Sequence, residues 1–310
     1  MADELVSGLL KDVDLRVVLV TAGALSRKAR ALHSAEPAAA ALLAQGLVGA
    51  ALMAALQKEK GRINLQLECD GPVRGMFADA EAGGTVRGYL KNPYVSFTGG
   101  EGAYHWRPVL GNAGFLSVLR DLGGGEYYRS SVELQAFDFP KDLERYFHAS
   151  EQVQTRLALE LVPGPVGSEA GAAGGAPRHD ALGQVVGVLL QPLPDGDPQT
   201  FRELGDTLPQ RLVRLLGEQA KEGADGSALG LLRALFGRDD LEIMSRYPLD
   251  FECGCSRERV KRALLAMGKA ELEDVLATDK KAEATCQFCT TQYVITEAEL
   301  RELLASATQG

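Results

Sequence analysis

The sequence predicts an α+β chain with a large N-terminal domain of sheets and helices, a helical linker and a small cysteine-rich C-terminal domain. Three observations support this prediction. Short alternating segments separated by turn residues fill residues 62–135, which is typical of strands joined by hairpins. An apolar stripe at helical spacing runs through residues 199–236. Four of the five cysteines lie beyond residue 250.

Proline residues mark the first domain boundary. Pro192, Pro194 and Pro198 cluster where the alternating pattern ends and the helical pattern begins, and such clusters separate elements. The expected parts are an N-terminal core domain at 1–195, a linker at 196–250 and a C-terminal domain at 251–310.

The N-terminal domain is expected to combine short strands with a few helices. Apolar periodicity predicts helices at 24–33 and 37–59, the second with Pro37 in its first turn. The segment R-I-N-L-Q-L-E alternates with period two, which predicts a half-buried strand at 62–68. The other expected elements are strands at 14–20, 73–78, 85–90, 94–98, 115–121, 128–135, 156–162 and 184–191, and a helix at 140–152. The segment Gly164–Pro177 consists mostly of Gly and Ala, which predicts a flexible surface insertion.

The linker combines a real apolar face with poor helix propensity. Its leucine stripe is Leu204, Leu208, Leu212, Leu215 and Leu216, followed by Leu229, Leu232, Leu235 and Phe236. Glycines recur at 217, 223, 226, 230 and 237, and each costs about 1 kcal/mol against alanine inside a helix. The linker is therefore a candidate for local unfolding, with an ordinary interdomain linker as the alternative.

The C-terminal part is expected to contain helices at 256–267, 269–276 and 297–305, with a turn and strand at 286–295. It has few large apolar side chains, so its core is marginal unless a metal supplies the missing stability.

Charge and hydropathy exclude several classes of function. The formal net charge is −9, which argues against a nucleic-acid or anionic-membrane surface. The run Ala38–Leu56 is apolar but contains Gln45 and is the one such segment, so a buried amphipathic helix is favoured over a membrane span. No signal peptide follows the acidic start of the chain, and a cytoplasmic location is expected.

The cysteine spacing is the strongest chemical signal. Cys253-Gly-Cys255 and Cys286-Gln-Phe-Cys289 each offer two sulfurs from a short turn, and four thiolates can form a closed tetrahedral zinc site. None of the four histidines lies in this region, so the set is all cysteine. The same thiols could form two local disulfides without metal. A permanent structural zinc knot and a redox switch both remain open at this point.

Catalytic motifs are missing. The sequence holds no phosphate-binding G-x-x-x-x-G-K-[ST], no G-x-S-x-G and no H-E-x-x-H, so we expect no enzyme. A thiol oxidoreductase is disfavoured because a strand, not a helix, is expected after Cys289. A zinc-ribbon nucleic-acid module is the remaining alternative, but residues 253–289 hold seven Lys/Arg against six Asp/Glu, too weak for tracking phosphates. Cys69 is interpreted as a half-buried structural residue.

The tail also carries a family resemblance. Y-P-L-D-F-E-C-G-C-S-R-E-R at 247–259, T-C-Q-F-C at 285–289 and Tyr293 resemble the redox-regulated holdase chaperones of the 33-kDa heat-shock protein family. The resemblance extends over nearly the whole chain. Its N-terminal motifs are D-G-P at 70–72, V-R-G-Y at 86–89, N-P at 92–93, R-D-L-G at 120–123, Y-F at 146–147 and S-E-Q at 150–152.

The resemblance implies a redox-regulated, ATP-independent chaperone of the stress response. It implies one zinc ion per chain in the reduced, inactive form, held by Cys253, Cys255, Cys286 and Cys289. Oxidants would form the Cys253–Cys255 and Cys286–Cys289 disulfides and expel the zinc. The C-terminal domain and linker would then unfold and expose apolar surface for unfolding client proteins. The implied active form is a homodimer, with no nucleic-acid or membrane partner.

Overall fold

The computed structural model describes residues 2–57, 61–97, 105–123, 125–163, 182–222 and 227–307. The chain forms two compact units, Met1–Glu252 and Cys253–Gly310, and the predicted mixed α+β fold is confirmed. The predicted insertion Gly164–Pro177 lies outside the described residues, as do the ends of the expected helix 37–59 and strand 94–98. The division into core, linker and C-terminal domain stays a prediction.

The N-terminal unit contains two sheets. The five-stranded sheet has the order β10-β1-β2-β9-β8 and is antiparallel throughout. Its strands are β1 (Glu4–Leu10), β2 (Leu15–Ala22), β8 (Arg156–Pro163), β9 (Leu182–Pro192) and β10 (Leu241–Pro248). The six-stranded sheet has the order β11-β5-β4-β3-β6-β7. Its strands are β3 (Arg62–Cys69), β4 (Gly75–Glu81), β5 (Thr85–Leu90), β6 (Gly114–Gly123), β7 (Glu126–Glu133) and β11 (Asp250–Phe251).

Helices complete both units. The N-terminal unit has α1 (Ala24–His33), α2 (Pro37–Ala54), α3 (Arg107–Leu110), α4 (Phe139–Tyr146), α5 (Pro198–Glu222) and α6 (Ala228–Phe236). The C-terminal unit has α7 (Arg257–Met267), α8 (Lys269–Thr278) and α9 (Glu297–Ala307), with the two strands β12 (Ala282–Thr285) and β13 (Gln292–Ile295).

Helix α2 is enclosed rather than amphipathic, which corrects the sequence-based expectation. Every residue from Ala38 to Ala54 is buried, and the helix packs on strands of both sheets. A Cβ at Gly46 would lie 1.8 Å from the Met76 sulfur, so a side chain at this position would require the buried Met76 side chain to move. By length and hydropathy α2 alone among the described helices could cross a membrane, but its burial is that of a central core helix.

Helices α5 and α6 cover one face of the five-stranded sheet, which we call the linker face. The sheet contributes Val6, Leu10, Leu15, Val17, Leu19, Ala158, Val186, Val188 and Leu190, all buried. The helices contribute Phe201, Leu208, Leu212, Leu216, Ala228, Leu231, Leu232, Leu235 and Phe236. The leucine stripes of the linker therefore bury the apolar sheet surface beneath them.

Helix α5 has two halves, separated by a proline, and each half has its own anchor. Pro209 lies inside the helix and removes the backbone donor that an uninterrupted helix would use there. The first half is held by Arg156 of β8, whose guanidinium lies 5.7 Å from the Phe201 ring centroid and 3.2 Å from an Asp206 carboxylate oxygen. In the second half, Arg211 donates to the Leu235 carbonyl of α6.

Strands β1 and β10 differ from what the sequence predicts for these residues. Strand β1 was not anticipated from the sequence, and β10 occupies residues 241–248 of the expected helical linker, so the linker is helical only over α5 and α6. Strands β1 and β10 pair with each other although more than two hundred residues separate them in the sequence.

Two further elements differ from their predicted limits. Residues 94–97, within the expected strand 94–98, are not in a strand. The helix expected at 140–152 ends at Tyr146 and continues as a π-helical turn at Phe147–Glu151.

Glu160 of β8 makes the stability of the N-terminal unit dependent on pH. It lies on the linker face with Ala158 and Val162, and burial, with a smaller contribution from Asp138, raises its pKa to about 7. The folded chain keeps this proton where the unfolded chain releases it, so the free energy of unfolding falls as the pH rises from about 4.3 to about 7. We expect Glu160→Gln to raise the thermal midpoint above neutral pH and to change it little in acid.

Thermal unfolding of the two proteins across this pH range tests the expectation. Glu126→Gln, at an exposed position of β7, is the control and should follow the original chain at every pH. A Glu160→Gln protein that loses stability with rising pH as steeply as the original would contradict the assignment.

Candidate metal centre

The first cysteine pair is positioned by the start of helix α7. Cys253 and Cys255 flank Gly254, and Ser256 follows directly as the N-cap of α7, where its hydroxyl accepts from the Arg259 amide. This capping fixes where the helix begins. The extended backbone of Ser256, with φ −152° and ψ 162°, sets the direction in which the chain leaves Cys255.

The second pair lies in the tight turn that joins β12 to β13. The Cys286 amide donates to the Thr291 carbonyl at 2.9 Å, and the Thr290 amide donates to the Cys286 carbonyl at 2.8 Å. Thr290 adopts a left-handed conformation with φ 58°, which closes the turn. As expected, a strand and not a helix follows Cys289, so the motif lacks the helix N-terminus typical of C-x-x-C oxidoreductases.

The four sulfurs of these pairs converge. All four Sγ atoms lie within 4.8 Å of one another. The Cys253 and Cys286 sulfurs are 3.6 Å apart, and those of Cys255 and Cys289 are 3.3 Å apart. No disulfide joins the five cysteines, so each sulfur is available as a ligand. The arrangement can hold a metal ion. Cys69 lies in β3 of the N-terminal unit and is not part of it.

The thiols differ in acidity. Burial raises the pKa of Cys253, Cys255 and Cys286. Burial also acts to raise the pKa of Cys289, but its hydrogen bonds with the Thr291 side chain and backbone, and with the neighbouring Cys255 and Cys286 thiols, lower it to about 6. A thiolate is the metal-binding and oxidant-sensitive form of cysteine, so Cys289 is the thiol most readily ionised at neutral pH before metal binds.

A tyrosine supports the cluster from outside. The Tyr293 hydroxyl donates to the Cys255 sulfur at 3.0 Å, and this hydrogen bond raises the pKa of the tyrosine to about 12. The hydroxyl therefore stays protonated at neutral pH and remains a donor. Hydrogen bonds from outside the ligand set orient metal ligands and tune their affinity. The sequence places Tyr293 in a family motif, but its spacing did not reveal this contact.

We expect Tyr293→Phe to weaken metal binding by about 10-fold to 100-fold, because the ring remains and the donor to Cys255 is lost. Competition between the protein and a chelator for Zn²⁺ measures this change. Tyr127→Phe, at an exposed position of β7, is the matched control and should leave the affinity unchanged. Equal affinities of Tyr293→Phe and the original chain would show that the hydrogen bond does not support the cluster.

Ionic contacts connect the two cysteine-bearing segments. Arg257, two residues after Cys255, forms a bidentate pair with Glu299 at 2.8 and 2.7 Å and donates to the Val294 carbonyl. Lys261 contributes a further contact to Glu299 at 2.9 Å. The Arg257 guanidinium holds the pKa of Glu299 far below its usual range.

The same carboxylate caps helix α9. Glu299 accepts from the Thr296 amide at 2.9 Å, and the Glu299 amide donates to the Thr296 hydroxyl, which is a capping box. The T-x-x-E spacing of Thr296 and Glu299 is a sequence signature of this cap and could have identified it. The partnership of Glu299 with Arg257 has no such signature.

The core beneath the cysteines is small. In the described residues of the C-terminal unit the buried cluster consists of four side chains, Leu272, Ile295, Leu300 and Leu303, with partly buried residues around them. Helix α7 buries no residue fully. A domain of this size with so small a core needs an additional source of stability.

The chain is similar to known proteins of one family. The Hsp33 protein family model matches residues 3–296. The "33 kDa chaperonin" of Gloeobacter violaceus is 36% identical over 307 residues, covering 98% of this chain and 96% of that protein. Its counterpart in Geobacter sp. strain M21 is 33% identical, covering 98% of both chains.

A solved structure has the same fold over the whole chain. The 33 kDa chaperonin (heat shock protein 33 homologue) of Thermotoga maritima superposes with a TM-score of 0.78 at 29% sequence identity, with 100% of both chains covered. The resemblance read from the sequence motifs is thereby confirmed. The family model matches nearly the whole chain, the relatives are similar over nearly their full length, and the fold is shared. The chain therefore belongs to the Hsp33 protein family.

Proposed function

We propose that this Hsp33-family chaperone is an ATP-independent holdase that oxidation activates. In the reduced form it binds one zinc ion and is inactive. Oxidation forms two disulfides, releases the zinc and unfolds the C-terminal unit and the linker, and the exposed surface binds unfolding proteins. The observation that carries the proposal is the convergence of four thiols in a unit whose core, among its described residues, has four buried side chains.

The sulfur arrangement fits zinc. Thiolates at about 2.3 Å from a tetrahedral ion lie about 3.8 Å from one another, and the measured separations of 3.6 and 3.3 Å approach this value. An all-sulfur tetrahedral set is typical of zinc or iron–sulfur sites. Cys253, Cys255, Cys286 and Cys289 would be the ligands, and zinc would supply folding free energy and keep the sulfurs as thiolates.

The redox step removes four electrons from the four thiols. Two disulfide bonds form, one within each cysteine pair, and two equivalents of hydrogen peroxide accept the electrons and become water. Local disulfides close loops of three and four residues, so they do not hold the two pairs together. Cross-linked pairs, Cys253–Cys286 and Cys255–Cys289, would instead keep the unit closed. Disulfides within each pair would therefore remove the metal ligands and also leave the two halves of the C-terminal unit unconnected.

The linker face is the client surface in this proposal. Among the described residues, nine fully buried apolar side chains of the five-stranded sheet lie beneath α5 and α6. The segment between these helices and Cys253 contains β10, which has no fully buried residue, followed by Leu249 and Phe251, which are buried in the main core. Detachment of α5 and α6 exposes a continuous apolar area, and contiguous apolar surface of this kind binds other proteins.

Location and assembly belong to the same proposal. Free thiols in a metal site suit the reducing cytoplasm, the oxidised form acts as a homodimer, and its partners are unfolding proteins rather than nucleic acid or membrane. A purely structural Cys₄ zinc in an interaction module is the second candidate. The Arg257–Glu299 pair favours it, because this contact joins the two halves of the unit without metal.

One experiment separates the two. Suppression of thermal aggregation of a model client is measured with reduced, zinc-loaded protein and with protein oxidised by peroxide at elevated temperature, while released zinc is counted. Activity that appears only on oxidation, with about one zinc released per chain, is expected. Equal activity in both forms would indicate a constitutive holdase with structural zinc, and inactivity of both would favour the interaction module.

A further inference from the structure

Strand β10 is the least buried strand of the five-stranded sheet. It lies at the edge and pairs with β1 alone. Its residues alternate between half-buried and exposed, and none is fully buried. Met244, at the irregularity in the pairing with β1, is 63% exposed. An edge strand with shallow burial opens at lower free energy than the sheet it covers.

Strand β1 is more extensively paired and more deeply buried than β10. It pairs with β2 along its whole length, and five of its seven residues are buried, including Leu5 in the main core and Val6 and Leu10 on the linker face. Loss of β10 therefore leaves β1 in place with a row of backbone donors and acceptors open along one edge. Such an edge is a template for another extended chain.

Glu4 adds a charge to this edge. Its carboxylate accepts from Arg246 of β10 at 2.6 and 3.2 Å and from the Ala228 amide, at the start of α6, at 2.9 Å. The residue is only 7% exposed. Release of α6 and β10 removes both of these partners together, and the carboxylate can then pair with a cationic side chain of an incoming strand.

Strand β10, which pairs with this edge of β1, indicates which kind of segment can bind there. Leu241 and Ile243 pack against the cluster of the linker face, and Arg246 lies on the same side, opposite Val6. We propose that β1 of the oxidised protein binds an extended segment of the client as an added antiparallel strand. The preferred segment carries alternating apolar residues followed by Arg or Lys directed at Glu4. This inference rests on the proposed oxidation-activated function and specifies how that form recognises clients.

A synthetic peptide with the sequence of residues 241–248 tests the proposal. Its binding to the full-length chain is followed by fluorescence anisotropy, with the oxidised metal-free form compared with the reduced zinc-loaded form. We expect binding to the oxidised form alone, because β10 occupies the edge in the reduced form. Client aggregation is measured on the same samples.

Two N-methylated peptides supply the matched control. In an antiparallel ladder every second residue directs its N–H to the partner strand, so methyl groups on one alternate set of nitrogens block pairing and those on the other set do not. We expect one of the two peptides to lose binding and the other to retain it. Equal binding of both would place the peptide on the apolar face and overturn the strand pairing.

The charge is tested separately. Replacing Arg246 by Gln within the peptide is expected to weaken binding by about 10-fold, the size of one charge-assisted hydrogen bond. In a Glu4→Gln protein the two peptides should bind equally. A peptide preference that persists in this variant would overturn the role of Glu4.

The remaining outcomes are also informative. Oxidised protein that suppresses aggregation but binds no peptide would overturn the edge site and leave the proposed function intact. Failure of the oxidised protein to suppress aggregation would instead count against the proposed function.

Discussion

Replacing Cys286 by serine is expected to unfold the C-terminal unit, 253–310, while α2 and the six-stranded sheet keep their fold. Cys286 lies 3.6 Å from the Cys253 sulfur and anchors the turn between β12 and β13. Zinc binding stabilises small cysteine-rich domains by about 10–16 kcal/mol near neutral pH. The four buried side chains of this unit cannot replace a contribution of that size.

Hydrogen exchange on the full-length chain measures this effect. Amides of α7, α8 and α9 should lose nearly all protection in Cys286→Ser, and those of α2 should retain it. Chelation of metal from the original chain should reproduce the change. Cys69→Ser, which alters a half-buried cysteine of β3, is the control. If the amides of α7 and α9 stayed protected from exchange in Cys286→Ser, the Arg257–Glu299 pair and the small core would be sufficient to keep the unit folded without metal.

Replacing Leu232 by alanine is expected to activate the protein without oxidation. Leu232 of α6 is fully buried against the linker face. Truncation of a buried leucine costs about 2–5 kcal/mol, and the glycine-rich linker has little stability of its own to lose. The reduced, zinc-loaded variant should therefore expose the linker face and suppress client aggregation, with its zinc content unchanged.

Val213→Ala supplies the comparison within the same linker. Val213 of α5 is 54% exposed, and substitutions at such positions change stability by about 0.5 kcal/mol or less. This variant should stay inactive until oxidised. A Leu232→Ala protein whose α6 amides lose protection, but which still fails to bind clients when reduced, would show that the linker face is not the client surface.

Local patterns predicted local structure well. Helix α1 has the predicted limits, the strand expected at 62–68 is β3, and the helix expected at 256–267 is α7. In each case the periodicity and the terminal signals lie within the segment itself. The cysteine pairs were also identified from spacing, since each pair is held by one short turn and its geometry is local.

Long-range partnerships were not readable in the same way. Strand β1 contains Ser7 and Gly8 in its centre, which obscures its apolar pattern, and its edge partner β10 lies more than two hundred residues away. The enclosure of α2 depends on two sheets whose strands come from before and after the helix in the sequence. The contacts of Tyr293 with Cys255 and of Arg257 with Glu299 likewise depend on tertiary folding.

The proline within α5 has a consequence for how strongly the protein responds to stress. The helix half before Pro209 is anchored to β8 through Arg156, and the half after it is tied to α6 through Arg211. Each half can therefore detach without the other, with the interrupted hydrogen-bond ladder as the point of separation. Heating would then free the two halves in separate steps. The client-binding capacity of the chaperone would then be graded rather than all-or-none. The apolar area presented to clients would grow as the temperature rises.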